Sequence, residues 1–255
     1  MKLAIKNRKG QKIMVLVEEA EHQKGLAFAM HGLGSNKDQP QIKAIAEAFF
    51  ENGYTVVRFD CTNSLGESDG AFENSTATNF LEDLEDVIAW STSQSWYQEP
   101  FCLAGSSLGG YATARYAEKF PEKIKGLAPK ATTISGTLSI KADPKRSEEW
   151  KASGWRVEVS NTKPGFIKRL PWSHMEDRIT HDLLPDAHKL TMPVLMIVGD
   201  QDRETSPIEH QTMLYDLLPG KKELHVIKGA PHTLRDPAHI QEMKMIFDAW
   251  IKSLN

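Results

Sequence analysis

The chain has 255 residues, a formal net charge of −3 and charge on a quarter of its positions. That balance excludes the basic footprint of a nucleic-acid or anionic-membrane partner, and the length suits a single α/β domain with a sizeable core. Cys61 and Cys102 lie in apolar, strand-like runs, which fits reduced core thiols and not a disulfide framework. The first ten residues carry positive charge with no apolar run behind them, and no stretch reaches transmembrane length. A cytoplasmic protein with no membrane partner is expected, and monomer and homodimer both stay open.

In chain order, Leu3 to Lys6 and Ile13 to Val17 flank a turn-like cluster and predict a hairpin. Gly25 to Met30 predicts a strand apolar on both faces, stopping at the loop His31-Gly32-Leu33-Gly34. Ile42, Ile45, Ala46, Phe49 and Phe50 keep helical spacing until Asn52-Gly53. A β-branched strand runs from Tyr54 to Phe59, and the stripe from Phe80 to Ala89 predicts a helix. Phe101 to Ala104 is another strand, with a helix after Ser107, and Ile124 to Ala128 is a further strand. From 136 to 189 no clear period is evident. Order returns with the strand Pro193–Gly199, a helix from Ile208 to Leu218, a strand from Glu223 to Ile227 and a helix from Pro237 to Ser253. This alternation predicts an α/β fold with a mostly parallel sheet and helices on both faces. The core is expected over 1–135 and 190–255, with 136–189 inserted over the site as a lid.

Gly105-Ser106-Ser107-Leu108-Gly109 sits where a strand gives way to a helix. A serine hydroxyl becomes a useful nucleophile when a sharp turn lifts it clear of the backbone and a base takes its proton. Glycines on either side leave room for that turn. A base and an orienting carboxylate then belong on loops after later strands at the same sheet edge. Among nine histidines, His232 follows a strand in a glycine-containing loop and precedes a helix. Asp202 follows the strand before it. Asp200 competes for that role and reads better as a loop-stabilising residue. The oxyanion calls for two backbone N–H groups, one from Leu108 at the helix start and one from Leu33. His31 reads as a loop brace. His174, His181 and His188 recur every seven residues without the carboxylate or thiolate that would complete a metal site, so no metal is expected and they read as cap or surface residues.

Taken together these residues resemble the α/β-hydrolase superfamily over nearly the whole chain, with an eight-stranded sheet. Arg58-Phe59-Asp60, Gly66-Glu67-Ser68-Asp69-Gly70, Phe72-Glu73-Asn74, Thr76 and Leu127-Ala128-Pro129 look like the bacterial cinnamoyl (feruloyl) esterases. The related serine-aminopeptidase-like and monoacylglycerol-lipase-like hydrolases share these features. Ser64-Leu65-Gly66 departs from the family's usual Gly-His-Gly, and Ser106 stands where histidine often precedes the nucleophile. The resemblance implies cleavage of a small-molecule carboxylic ester through an acyl-serine on a Ser107–His232–Asp202 triad, without a cofactor. A peptidase or thioesterase with the same triad, or a non-enzymatic binding protein on this fold, is the alternative. Trp150, Trp155, Phe166 and Trp172 either line the substrate pocket or form the insertion's own small core.

Overall fold

The computed structural model describes residues 1–203 and 205–254. Strands β1 (Lys2–Lys6) and β2 (Lys12–Glu18) form the opening hairpin, followed by β3 (Gly25–Met30), α1 (Pro40–Glu51) and β4 (Tyr54–Asp60). Next come α2 (Ala77–Ser91), β5 (Phe101–Ser106), α3 (Leu108–Lys119) and β6 (Ile124–Lys130). After the insertion, β9 (Val194–Gly199), α7 (Ile208–Leu217), β10 (Lys222–Ile227) and α8 (Pro237–Lys252) complete the chain. The eight-stranded sheet has the order β1-β2-β4-β3-β5-β6-β9-β10. The β1–β2 and β2–β4 pairs are antiparallel and the others parallel.

A strand buried on both faces sends alternate side chains to opposite layers. In β3, Leu26, Phe28 and Met30 enter one core while Ala27 and Ala29 enter the other. In β5, Phe101 and Leu103 go one way and Cys102 and Ala104 the other. Helices α2, α3 and α7 cover the first layer, and α1 and α8 the second. The second layer is lined by small strand residues, so α1 and α8 can fill it with Phe49, Phe247 and Trp250. Both cysteines are buried and free. Among the described residues no helix is long and apolar enough to cross a membrane.

The insertion between β6 and β9 is more regular than the sequence reading anticipates. It contains α4 (Gly136–Ala142), α5 (Pro144–Ser153), a hairpin of β7 (Trp155–Val159) and β8 (Ile167–Pro171), and α6 (Ser173–Arg178). Its own apolar cluster is small: Trp150, Leu170 and Met175, packed against Leu65 and Phe72 of the main body. Polar bonds also fasten it. Asp177 accepts from the N–H groups of Ala77 and Thr78 at the start of α2, where a carboxylate is favoured by the helix dipole. His181 bonds Tyr111 Oη at 2.6 Å and Thr78 Oγ1 at 2.9 Å.

Candidate active site

Ser107 occupies the single position between β5 and α3, with φ 56° and ψ −115°. A non-glycine residue there is strained by roughly 1–3 kcal/mol and must be held by its surroundings. Its N–H donates to the Lys130 carbonyl at 2.9 Å, and its carbonyl accepts from Tyr111 and Thr133. The two flanking glycines are sterically required. A Cβ on Gly105 would overlap the Gly109 carbonyl oxygen, and one on Gly109 would overlap that of His31.

Three parallel strands deliver the side chains. Ser107 follows β5, Asp202 follows β9 and His232 follows β10, all at the carboxyl edge of the sheet. His232 Nε2 lies 3.0 Å from Ser107 Oγ, and its Nδ1 lies 2.6 Å from Asp202 Oδ2. Asp202 Oδ1 also accepts from the Ser206 N–H at 3.0 Å. Burial pushes this carboxyl upward, but the His232 hydrogen bond and charge, with help from Ser206 and Lys130, hold it below the ordinary value. Asp200 instead accepts from the Gly229 N–H at 2.7 Å, tying the loop after β9 to the loop after β10.

The loop after β3 lies against this elbow. A Cβ on Gly32 would stand 2.9 Å from the Ser106 carbonyl oxygen. His31 is buried. Its Nε2 accepts from the Cys61 N–H at 3.0 Å, so its Nδ1 carries the proton and donates to the Gly32 carbonyl at 2.8 Å. Burial holds the ring below its usual value, in keeping with that neutral form. The histidine thereby braces the loop, and Leu33 lines the cavity beside Ser107. Leu108 is the first residue of α3, so its N–H has no carbonyl one turn back within the helix.

Lys130 is a residue the sequence reading misses. It ends β6, the strand between those of Ser107 and Asp202, and is fully buried. Its ammonium donates to the His232 carbonyl at 2.8 Å and to Gln41 Oε1 at 2.9 Å. Burial pulls its pKa down to about 8, with Asp202 opposing. A lysine two residues past an apolar strand end was the available signal; its partners are distant in sequence.

Ser107 and His232 open onto a cavity of about 410 Å³ whose opposite wall is the insertion. Of the four aromatic candidates there, Trp150 alone lines it. Trp150 is also the centre of the insertion's own cluster, its Nε1 donating to the Leu170 carbonyl at 3.0 Å. Phe166 and Trp172 pack against that cluster from outside the cavity, and Trp155 is exposed under the Arg169 guanidinium. The aromatic surface of Phe166 and Trp172 goes into the insertion's own core. The evenly spaced histidines all lie in the insertion, His174 buried, His181 half-buried and His188 exposed.

The family described as serine aminopeptidase, S33 (Hydrolase_4) matches residues 21–173. That span includes Ser107 and stops short of Asp202 and His232. In sequence the chain is similar to the mouse protein named palmitoyl-protein thioesterase ABHD10, mitochondrial, with 26% identity over 84% of this chain and 71% of that protein. Among solved structures it superposes on ferulic acid-bound Est1E from Butyrivibrio proteoclasticus with a TM-score of 0.83 and 20% identity, covering 99% of this chain and 98% of the other. A monoacylglycerol lipase from Paleococcus ferrophilus gives 0.73 at 20% identity over 95% and 99%. These likenesses, the strand order and the elbow agree on an α/β-hydrolase fold. With more than half its length matched, the chain belongs to the serine aminopeptidase S33 family of α/β-hydrolases.

Proposed function

We propose that the protein hydrolyses carboxylic esters of small molecules, with Ser107 as nucleophile, His232 as general base and acid, and Asp202 as the orienting carboxylate. The observation that carries this reading is the continuous chain from Ser107 Oγ through both His232 nitrogens to Asp202, at 3.0 and 2.6 Å. His232 takes the hydroxyl proton as Ser107 Oγ bonds to the ester carbon. The carbonyl electrons move onto oxygen, where the N–H groups of Leu33 and Leu108 receive the charge. The bond to the alcohol breaks as His232 returns the proton to the leaving oxygen. Water, deprotonated by the same imidazole, then frees the acid and restores Ser107. Segment 136–189 serves as the lid, and Trp150 is its contribution to the pocket wall.

The thioesterase name of the mouse relative favours a second reading, a thioester substrate on the same groups. The cavity argues against a long fatty acyl chain, because Arg156, Glu158, Lys168 and Arg178 occupy its insertion side. A panel of short aliphatic and aryl-propenoyl esters, matching thioesters and aminoacyl amides separates these reactions. Ester turnover is expected, with Ser107→Ala lowering kcat by about ten-thousand-fold or more. Fluorophosphonate labelling should vanish in the same variant. Full turnover by Ser107→Ala would end this reading.

A further inference from the structure

The wall opposite Ser107 is built around a cation that forms no ion pair among the described residues, with Asp177, its neighbour in α6, acting only at longer range. Arg178 ends α6 and lines the cavity. Its Nη2 donates to His174 Nε2 at 2.7 Å, while its Nε is sealed from solvent with no hydrogen-bond partner among the described residues. His174 cannot neutralise it. That ring donates through Nδ1 to the Ser75 carbonyl at 2.7 Å and is neutral, burial holding its pKa down to about 3. The histidine fixes the guanidinium without compensating its charge. On the far side, α4 begins hard against the end of α6: a Cβ on Gly136 would overlap the Arg178 carbonyl.

The neighbouring charges add to the imbalance. On the β7–β8 hairpin, Arg156, Glu158 and Lys168 share the cavity-facing side. Glu158 is already shared, since Arg156 binds it at 2.7 Å and Lys168 forms a second ion pair with it. Arg156 also lies 5.8 Å above the Trp150 ring, whose neighbour in a near-parallel stack is His174. From the insertion Arg146, Arg156, Lys168 and Arg178 therefore line the cavity against two carboxylates, Glu158 and Asp143, the latter paired with Arg146. Burial, and repulsion from Arg156, lower the Arg178 pKa to about 10 with Asp177 opposing, so it stays protonated at neutral pH. A buried guanidinium donor left unpaired is costly, and such groups in proteins are ordinarily met by an anion.

Resting on the esterase reading, we propose that Arg178, with Arg156 and Lys168 beside it, forms a subsite for an oxyanion, a carboxylate or phosphate carried by the ester substrate away from the bond that is cleaved. The positive wall would draw such substrates in, and the Arg178 donors would fix their orientation towards Ser107.

The test uses matched phenyl butyrates bearing a para methyl ester, carboxylate or phosphonate, together with phenyl hexanoate and monophenyl adipate. Each kcat/KM is divided by the hydroxide-catalysed rate of the same ester. The wild type should favour an anionic ester over its neutral twin by about 10- to 100-fold, chiefly through KM. Added salt should shrink that preference. The carboxylate and phosphonate arms identify which oxyanion the site takes. Arg178→Gln should abolish the preference while changing neutral-ester turnover by less than about threefold, and Arg178→Lys should restore part of it. Where Arg178→Gln fails to fold, the wild-type ratio and its loss in Arg156→Gln decide. No preference with the anion on either side of the ester overturns the subsite and leaves the esterase standing. Conversely, if no ester is cleaved but benzoate or phenylphosphonate raises the melting temperature of wild type and not of Arg178→Gln, the subsite stands and the esterase reading falls.

Discussion

The sheet edge and the insertion hold polar groups at the two walls of one cavity by different means. At the sheet edge, every position of β3, β5 and β9 is buried, and Ser107, Asp202 and His232 project from loops locked by backbone contact. In the insertion, five buried apolar residues, two of them lent by the main body, support a wall of charge. Precision at Ser107 is thus inherited from a large core, whereas the charges opposite are placed by a small one and by pairing among themselves. Changes at the edge should therefore cost geometry, and changes in the insertion should cost occupancy of the cavity.

Gly109→Ala is the sharpest probe of the first half. Its new methyl group would meet the His31 and Met30 carbonyls, and neither can retreat without moving the Leu33 loop. We expect about 1–3 kcal/mol of destabilisation by overpacking. A shift of that loop or of the elbow should lower kcat by about 100-fold. Gly154, with φ +76° and open space around it, is the matched control in the insertion. Gly154→Ala should cost about 1 kcal/mol through its backbone conformation alone and leave kcat unchanged. Equal effects on kcat would erase the contrast between the two regions.

Trp150→Ala tests the second half. Removing a buried tryptophan ordinarily costs about 3–5 kcal/mol. Here the loss should fall on 136–189, since Trp150 belongs to a cluster separate from the two sheet layers. Proteolysis and amide exchange should accelerate in that segment while the sheet strands stay protected. Hydrolysis of a small neutral ester should fall by about tenfold, mainly in KM. Uniform loss of protection across β3 and β5 would mean that the insertion and core unfold as one unit.

Lys130→Met asks how much the sheet edge depends on one buried charge. Without it the His232 carbonyl loses its donor, and kcat should fall by about five- to tenfold. The pH dependence separates this from simple packing. The folded protein releases the Lys130 proton near pH 8, whereas the unfolded chain keeps it to about 10.5. Between those values the unfolded state binds more protons, so this group makes the wild type more stable as pH rises. The difference in melting temperature between wild type and Lys130→Met should move in favour of the wild type from pH 8 to 10. A constant difference would show that Lys130 is not titrating there.

What could be read from the sequence divides along the same line. The strands and helices of the main body were legible because their apolar periods match buried faces, and a long-range register of strand ends singled out Asp202 and His232. In the insertion the signals were present but inverted. Asp143 caps α5, Pro144 opens it and Gly154 ends it, all ordinary helix punctuation. Trp155 and Val157 alternate with Arg156 and Glu158, a strand period masked because its apolar members face solvent and its charged members face the cavity. Lys130 escaped for another reason: its partners, Gln41 and His232, are 89 and 102 residues away. The spacing of His174 and Arg178 on one helical turn was visible, but not that the histidine would be neutral and the arginine unpaired.

That inverted hairpin gives the smallest predicted effect. Val157 is 58% exposed and lies outside the cavity, so its methyl groups contribute little burial to folding. Threonine keeps the β-branched shape and adds a hydroxyl that water can satisfy. Val157→Thr should change stability by less than about 0.5 kcal/mol, with ester turnover unaltered. Reversing the hairpin's inner face instead, with Glu158→Gln, leaves Arg156 and Lys168 without their shared carboxylate. Their added repulsion should loosen the hairpin slightly while strengthening attraction for an anionic ester. A drop in turnover from Val157→Thr, with Glu158→Gln silent, would place the working face of this hairpin on the side away from Ser107.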